Sequence, residues 1–344
     1  MIEENNSEGY TFIKFLILLA TISLSLIILI PKISKSKKEE IKKTTKKEDS
    51  IITATKDYIK SNSEYFSEFF KEKDMIYRVD IDELQKNNLY DNKENKTGYI
   101  NVIDNKYFNF INTENGEYLI KKIIDSNNGV NNETSPFDLK YIYIGNDVNN
   151  YLKYNEKMYR IIGVTNSNHL KLIELDENNN LNSFGLGSDI NWFIKKEGNN
   201  FSNELGYNSD KGIFYVGFVR SNVTPKEEII KNEKRNNEYT IKQPKYYGKY
   251  ASFNISDLIN SSTDCKYNLI TEINKENCNS YLFDVVNNSY SITTGEDNKI
   301  YYISDNKIEL TNKLDNIKVH NVIYVNGLEL YTGIGTFDDP YILN

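Results

Sequence analysis

One run limits what this chain can fold into more than any other. Between Phe15 and Ile30 there is no charge, and only Thr21, Ser23 and Ser25 carry hydroxyls. With Tyr10–Ile13 added across the single Lys14, the run reaches the roughly 20 residues needed to cross a bilayer. A secretory signal peptide would have a basic start and a small-residue cleavage site. Here the start carries Glu3, Glu4 and Glu8, and the run passes directly into Pro31-Lys32-Ile33-Ser34-Lys35. Residues 10–30 therefore read as an anchor helix. Lys32, Lys35, Lys37, Lys38, Lys42 and Lys43 follow it and, by the positive-inside rule, favour a cytoplasmic body.

Gly9-Tyr10-Thr11-Phe12-Ile13, then Lys14, the apolar run and Pro31 at the twenty-second position after Gly9, carry a resemblance. The segment resembles the N-terminus of type IV prepilins and pseudopilins. The resemblance implies cleavage after Gly9 by a dedicated prepilin peptidase and N-methylation of Tyr10. It also implies a helix that first anchors the chain in the membrane and later packs in a fibre. The family has Glu where this chain has Lys14, and that Glu pairs with the amine of a neighbouring subunit. A lysine there would repel the amine, which points to a minor or tip subunit with no neighbour above it. Lys14 and Pro31 are thus the expected assembly positions. This pattern, with the cysteine pair and the strand-rich body, outweighs the lysine flank and places the bulk of the chain outside the cytoplasm.

The 344 residues suffice for two modest domains beyond the anchor. Net charge is −7, with acidic and basic residues mixed outside the flank, so no nucleic-acid surface is expected. Cys265 and Cys278 are the two cysteines, and their closeness in an exported chain favours a disulfide.

In order along the chain, 1–9 reads as a leader, 10–30 as the anchor and 31–73 as a stalk helix. Ile51/Ile52, Tyr58/Ile59 and Tyr65/Phe66 recur every seven residues, giving the stalk one apolar face. Helix from Tyr10 to Phe70 would be about 90 Å long, kinked at Pro31. Residues 74–135 read as a small α+β region. It has a short helix within Val79–Tyr90 capped by Asp, and strands at Gly98–Ile103, Lys106–Ile111 and Tyr118–Ile124. Asp125–Glu133 reads as a linker.

Residues 136–344 read as a larger β-rich domain. Its Tyr141–Gly145, Asn150–Tyr154, Tyr159–Val164 and Leu170–Ile173 runs resemble a strand-and-turn module of bacterial pilin-like surface proteins. Ile213–Gly217, Val322–Val325 and Gly333–Leu343 continue that resemblance. The fold class expected is α+β: a long pilin-like transmembrane and stalk helix, a small α+β region, and a β-rich extracytoplasmic domain.

Chemistry is sparse. His169 and His320, the two histidines, both lie in strand-like contexts and suit structure better than catalysis. Neither phosphate-binding glycine signature occurs, and Gly185-Leu186-Gly187 reads as a loop. No EF-hand loop is present, and loop Asp and Asn leave room only for a structural Ca²⁺. Trp192-Phe193 and the tyrosine-rich strands suit a core, or alternatively a carbohydrate- or protein-binding face. No cofactor, metal or catalytic residue is expected.

The function expected is a structural subunit, minor or tip, of a type IV pilus-like or pseudopilus-like fibre. Its partners would be other pilin subunits, the prepilin peptidase and the membrane assembly machinery. It would sit as a single-pass membrane protein with its bulk extracytoplasmic, then at the cell surface or in the fibre. The alternative is a membrane-anchored adhesin or ligand-binding protein that does not polymerise.

Overall fold

The computed structural model describes residues 50–93, 95–113, 117–126, 129–131, 139–175, 209–215, 245–263, 265, 267, 269–295, 299–312 and 319–343. Residues 50–61 are helical (α1). Asn62 interrupts them, and helix resumes as α2, Ser63–Phe69. The Asn62 side chain donates to the Tyr58 carbonyl at 2.9 Å, a local bond that competes with the helical ladder. Ile51, Ala54, Ile59, Phe66 and Phe69 are buried along one side.

That side covers a three-stranded antiparallel meander: β1 (Ile76–Asp80), β2 (Gly98–Ile103) and β3 (Tyr107–Asn112). Asp104 and Asn105, both at positive φ (52° and 54°), turn β2 into β3. Phe66 meets Tyr77 of β1 edge-on at 4.7 Å, and Val79, Ile100 and Val102 complete this smaller core. Each such side chain contributes roughly 1.5–3 kcal/mol on burial. Helix α3 (Ile81–Lys86) follows β1, with the Asp80 carboxylate accepting from the Asp82 N–H at 3.2 Å.

Two expectations are corrected here. The described fold is mostly β-sheet with short helices, not an α+β protein organised on a long transmembrane and stalk helix. Among the described residues no helix is long and apolar enough to cross a membrane, so the single-pass membrane placement is withdrawn. The physical reason lies in α1 and α2, whose apolar side is already occupied by the meander and whose other side carries Lys56, Lys60 and Glu64 in the open. The 10–30 run lies outside the described residues.

A third difference is local. Where alternation suggested a strand at Tyr118–Ile124, the chain forms helix α4, Leu119–Asp125. Leu119, Ile120 and Ile123 are buried and Lys122 is exposed, which is helical spacing. The expected linker also contains a short strand, β4 (Gly129–Asn131), which pairs with the body.

The larger sheet contains β5 (Leu139–Tyr143), β6 (Tyr151–Tyr154), β7 (Lys157–Thr165) and β8 (His169–Glu174). Beside it β9 (Gly212–Tyr215) and β10 (Lys245–Gly248) form a separate pair. Further along come β11 (Tyr250–Ala251) and helices α5 (Ile255–Asn260) and α6 (Leu282–Val286). A smaller meander of β12 (Ser289–Thr294), β13 (Ile300–Ser304) and β14 (Lys307–Thr311) follows. The chain returns to the larger sheet with β15 (Val322–Asn326), β16 (Tyr331–Thr332) and β17 (Tyr341–Leu343).

The larger sheet runs β11-β15-β8-β7-β6-β17-β16, with β5 and β4 branching from β7. The branch exists because β7 is longer than either neighbour on that edge. Its first half pairs with β6 and its second half with β5. Asn150 fills the fork, donating from Nδ2 to the Ile161 carbonyl at 2.8 Å and accepting from Arg160 Nε. The bulge between Ile161 and Gly163 needs its glycine, since a Cβ at Gly163 would lie 2.2 Å from the Tyr141 carbonyl oxygen.

Cys265 and Cys278 form a disulfide, and Cys278 is fully buried in the larger core. On the chain-entropy account, closing so short a loop stabilises by about 3 kcal/mol. Reduction, or C265S/C278S, is expected to lower the unfolding free energy by that order without changing the strand signal. Denaturant titration followed by circular dichroism measures it.

Candidate functional site

The richest polar constellation lies where the smaller sheet meets the larger one. Arg78 lies between apolar neighbours in β1, Ile76-Tyr77-Arg78-Val79-Asp80, and its side chain turns away from α1 and α2. It is buried, with Nη1 donating to Asp210 Oδ2 at 2.5 Å and lying 2.9 Å from His169 Nε2. Asn168 Nδ2 donates to the Arg78 carbonyl at 2.8 Å, and the Tyr77 hydroxyl donates to the Asn166 carbonyl at 2.8 Å. Asp210 sits just before β9, and its N–H donates to the Tyr324 carbonyl of β15 at 2.8 Å.

Beside this knot lies a cleft of about 30 Å³, whose walls include Tyr65, Phe69, Ser167, His169, Lys211 and Tyr324. It has room for water and is far below the size of a sugar or nucleotide pocket.

Ser167, His169 and Asp210 have the residue types of a nucleophilic triad, so their hydrogens decide what they can do. Ser167 Oγ is 2.8 Å from His169 Nδ1, and Asp210 Oδ2 is 3.0 Å from Nε2. Nε2 faces a donor, Arg78 Nη1 at 2.9 Å, and an acceptor, Asp210 Oδ2 at 3.0 Å, so a bare Nε2 accepts from the arginine and a protonated one donates to the carboxylate. Nδ1 donates to Ser167 in the first tautomer and accepts from it in the second, and the Ser167 hydroxyl is 3.0 Å from Thr165 Oγ1. Ser167 and His169 are buried, and the cleft beside them has room for water alone.

Burial pushes the His169 pKa down, with Asp210 only partly opposing. Burial pushes the Asp210 carboxyl up, but its contacts with His169 and Arg78 outweigh that and hold it well below the usual carboxylate range.

Other buried charges serve the frame in the same way. Lys171 of β8 donates to both carboxylate oxygens of Asp257 at 2.8 and 2.9 Å, and one of those oxygens also accepts from the Asn254 N–H that opens α5. His320 Nδ1 donates to the Glu174 carbonyl at 2.7 Å. Arg160 is stacked between the rings of Tyr151 and Tyr281, at 3.9 and 4.6 Å. Among the described residues no group of three or more His, Cys, Asp or Glu is placed to hold a metal.

Of the positions singled out in the sequence, Gly9, Tyr10, Lys14, Pro31, Gly185–Gly187 and Trp192-Phe193 lie outside the described residues. The structure brings His169 into the knot, leaves His320 elsewhere and pairs the two cysteines. Arg78, Ser167 and Asp210 were not foreseen. The one available signal is a charge set between apolar neighbours, Tyr77-Arg78-Val79. No family model matches the chain, and neither a curated protein nor a solved structure matches it.

Two outcomes follow from these charges. The fold lowers the affinity of His169 for a proton, so on acidification below about pH 6.5 the unfolded chain binds it first and stability falls. Asp80 acts oppositely. Burial, with the Asp82 charge adding, pushes its pKa up to about 6, so the folded chain binds that proton first and acid stabilises. H169Q should therefore lose less stability than the parent between pH 7 and 5, and D80N should lose more. The differences can reach about 1.4 kcal/mol per pH unit, read by denaturant titration.

For the second, K171M leaves Asp257 buried without its cation. It is expected to destabilise by about 3–5 kcal/mol in the same assay.

Proposed function

We propose that this chain is a non-catalytic, pilin-like subunit of a type IV pilus-like or pseudopilus-like fibre, suited to a minor or tip position, that displays its β-rich body. The observation that carries the reading is the aromatic side of α1 and α2 laid on the β1-β2-β3 meander, directly ahead of a much larger β body. A helix docked on a short antiparallel meander is the arrangement that the Gly9-Tyr10-Thr11-Phe12-Ile13 segment implies. The polar groups at the junction support the same reading, since their hydrogen bonds hold elements together. In this reading the peptidase cleaves after Gly9 and methylates Tyr10, and other pilin subunits are the partners. Lys14 and Pro31 set the packing.

A second reading, a ligand-binding protein that does not polymerise, draws on a different feature. Ile334, Phe337 and Ile342 are exposed near β17, with Phe337 packed edge-on to Tyr151 at 5.5 Å. Exposed rings at a sheet margin offer contact area to a partner.

The N-terminal mass of the chain from its own host, with its presence in sheared fibres, separates the two. A chain beginning at methylated Tyr10 and recovered with fibres is expected. A chain beginning at Met1 and absent from fibres overturns the proposal and leaves the non-polymerising binder.

A further inference from the structure

Lys171 and Asp257 meet inside the larger core, 86 residues apart in sequence, one on the inner strand β8 and the other on α5. Their side chains are only 4% and 2% exposed. Ile255, Leu258 and Ile259 around Asp257, and Leu170 and Leu172 beside Lys171, are fully buried as well. A charge pair in such a place is costly to keep, because each ion has given up its hydration.

Two features go beyond an ordinary ion pair. Lys171 Nζ lies 2.8 and 2.9 Å from the two carboxylate oxygens, so it sits opposite the carbon between them. The nitrogen-to-carbon spacing that follows is about 3 Å, the separation of reacting atoms poised to bond. The second feature is the Asn254 N–H, which donates to Oδ2 at 2.9 Å. A fixed main-chain donor at that distance stabilises the negative charge that grows on an oxygen when an amine adds to its carbon.

We propose that Lys171 and Asp257 are a self-joining pair, which forms an amide bond between Lys171 Nζ and Asp257 Cγ once the fold has brought them together. The ammonium first passes a proton to Oδ1. The freed lone pair then bonds to Cγ, and Oδ2 takes up the charge against the Asn254 N–H. A second proton moves from nitrogen to Oδ1, which leaves as water. One C–N bond forms, one C–O bond breaks and two opposite charges vanish, with no oxidant, reductant or cofactor required. Burial excludes the water that reverses the step. The inference does not depend on the fibre reading, because it uses only the geometry of this pair.

The test is a tryptic peptide map of the full-length chain, reduced and digested under denaturing conditions and read by mass spectrometry. A branched peptide is expected, joining the segment around Lys171 to the segment around Asp257 and lighter than the two together by one water. Trypsin then no longer cuts after Lys171. Two separate, unmodified peptides overturn the inference and leave an ion pair only. K171R keeps the positive charge and is expected to give the separate peptides. A peptide around Asp257 that still lacks one water in K171R also overturns it, since the loss then lies elsewhere. The parent map decides the matter even where K171R fails to fold.

Discussion

Arg78 is the constraint on which the union of the two cores depends. A guanidinium keeps its charge in any protein interior, so burying one obliges the surroundings to supply acceptors. Here they come from separate stretches of chain: Asp210 ahead of β9 and His169 at the start of β8, while the arginine itself belongs to β1. Asn168 adds a bond to the Arg78 main chain, and the Asn166 carbonyl accepts from Tyr77, whose ring lies on the opposite face of β1. Apolar packing would tolerate small slides of one sheet over the other. A charge with directional partners does not, so the knot's role is to fix position more than to add net stability.

The larger sheet solves a related problem at its fork. Where β5 and β6 part from β7, main-chain groups lose their strand partners and need substitutes. Asn150 replaces the missing partners at Ile161, and Arg160 is held between two tyrosine rings instead of beside a carboxylate. The same short segment therefore ends one pairing, begins another and seats a cation. This explains why Asn150 and Arg160 are buried although both are polar.

Much of the body was legible because alternation and turn residues suffice to locate strands. The runs at Tyr141, Asn150, Tyr159, Leu170 and Val322 all fall on or against strands of one sheet, and Asp80 caps α3 as its position suggested. Alternation failed at Leu119–Asp125, where a seven-residue stretch of mixed Leu, Ile and Lys fits either period and tertiary packing decided for helix. The apolar run at residues 10–30 drew the reading toward one long helix. The period-seven residues at 51–66 mark an apolar face, but its use as a lid over a meander depends on strands that follow, which periodicity alone cannot supply. The knot was invisible for a similar reason. Arg78, His169 and Asp210 are far apart in sequence, and only sheet topology brings them together.

The place of β8 has a bearing on how the protein is made. Every residue of this strand is buried, and one of its two edges is closed by β15, about 150 residues further along the chain. Between the synthesis of β8 and that of β15, a strand that is buried along its whole length in the finished fold waits with one edge unpaired. Long-range pairing of this kind is slow and leaves a sticky intermediate. A nascent chain of this design has reason to depend on a holdase until β15 emerges.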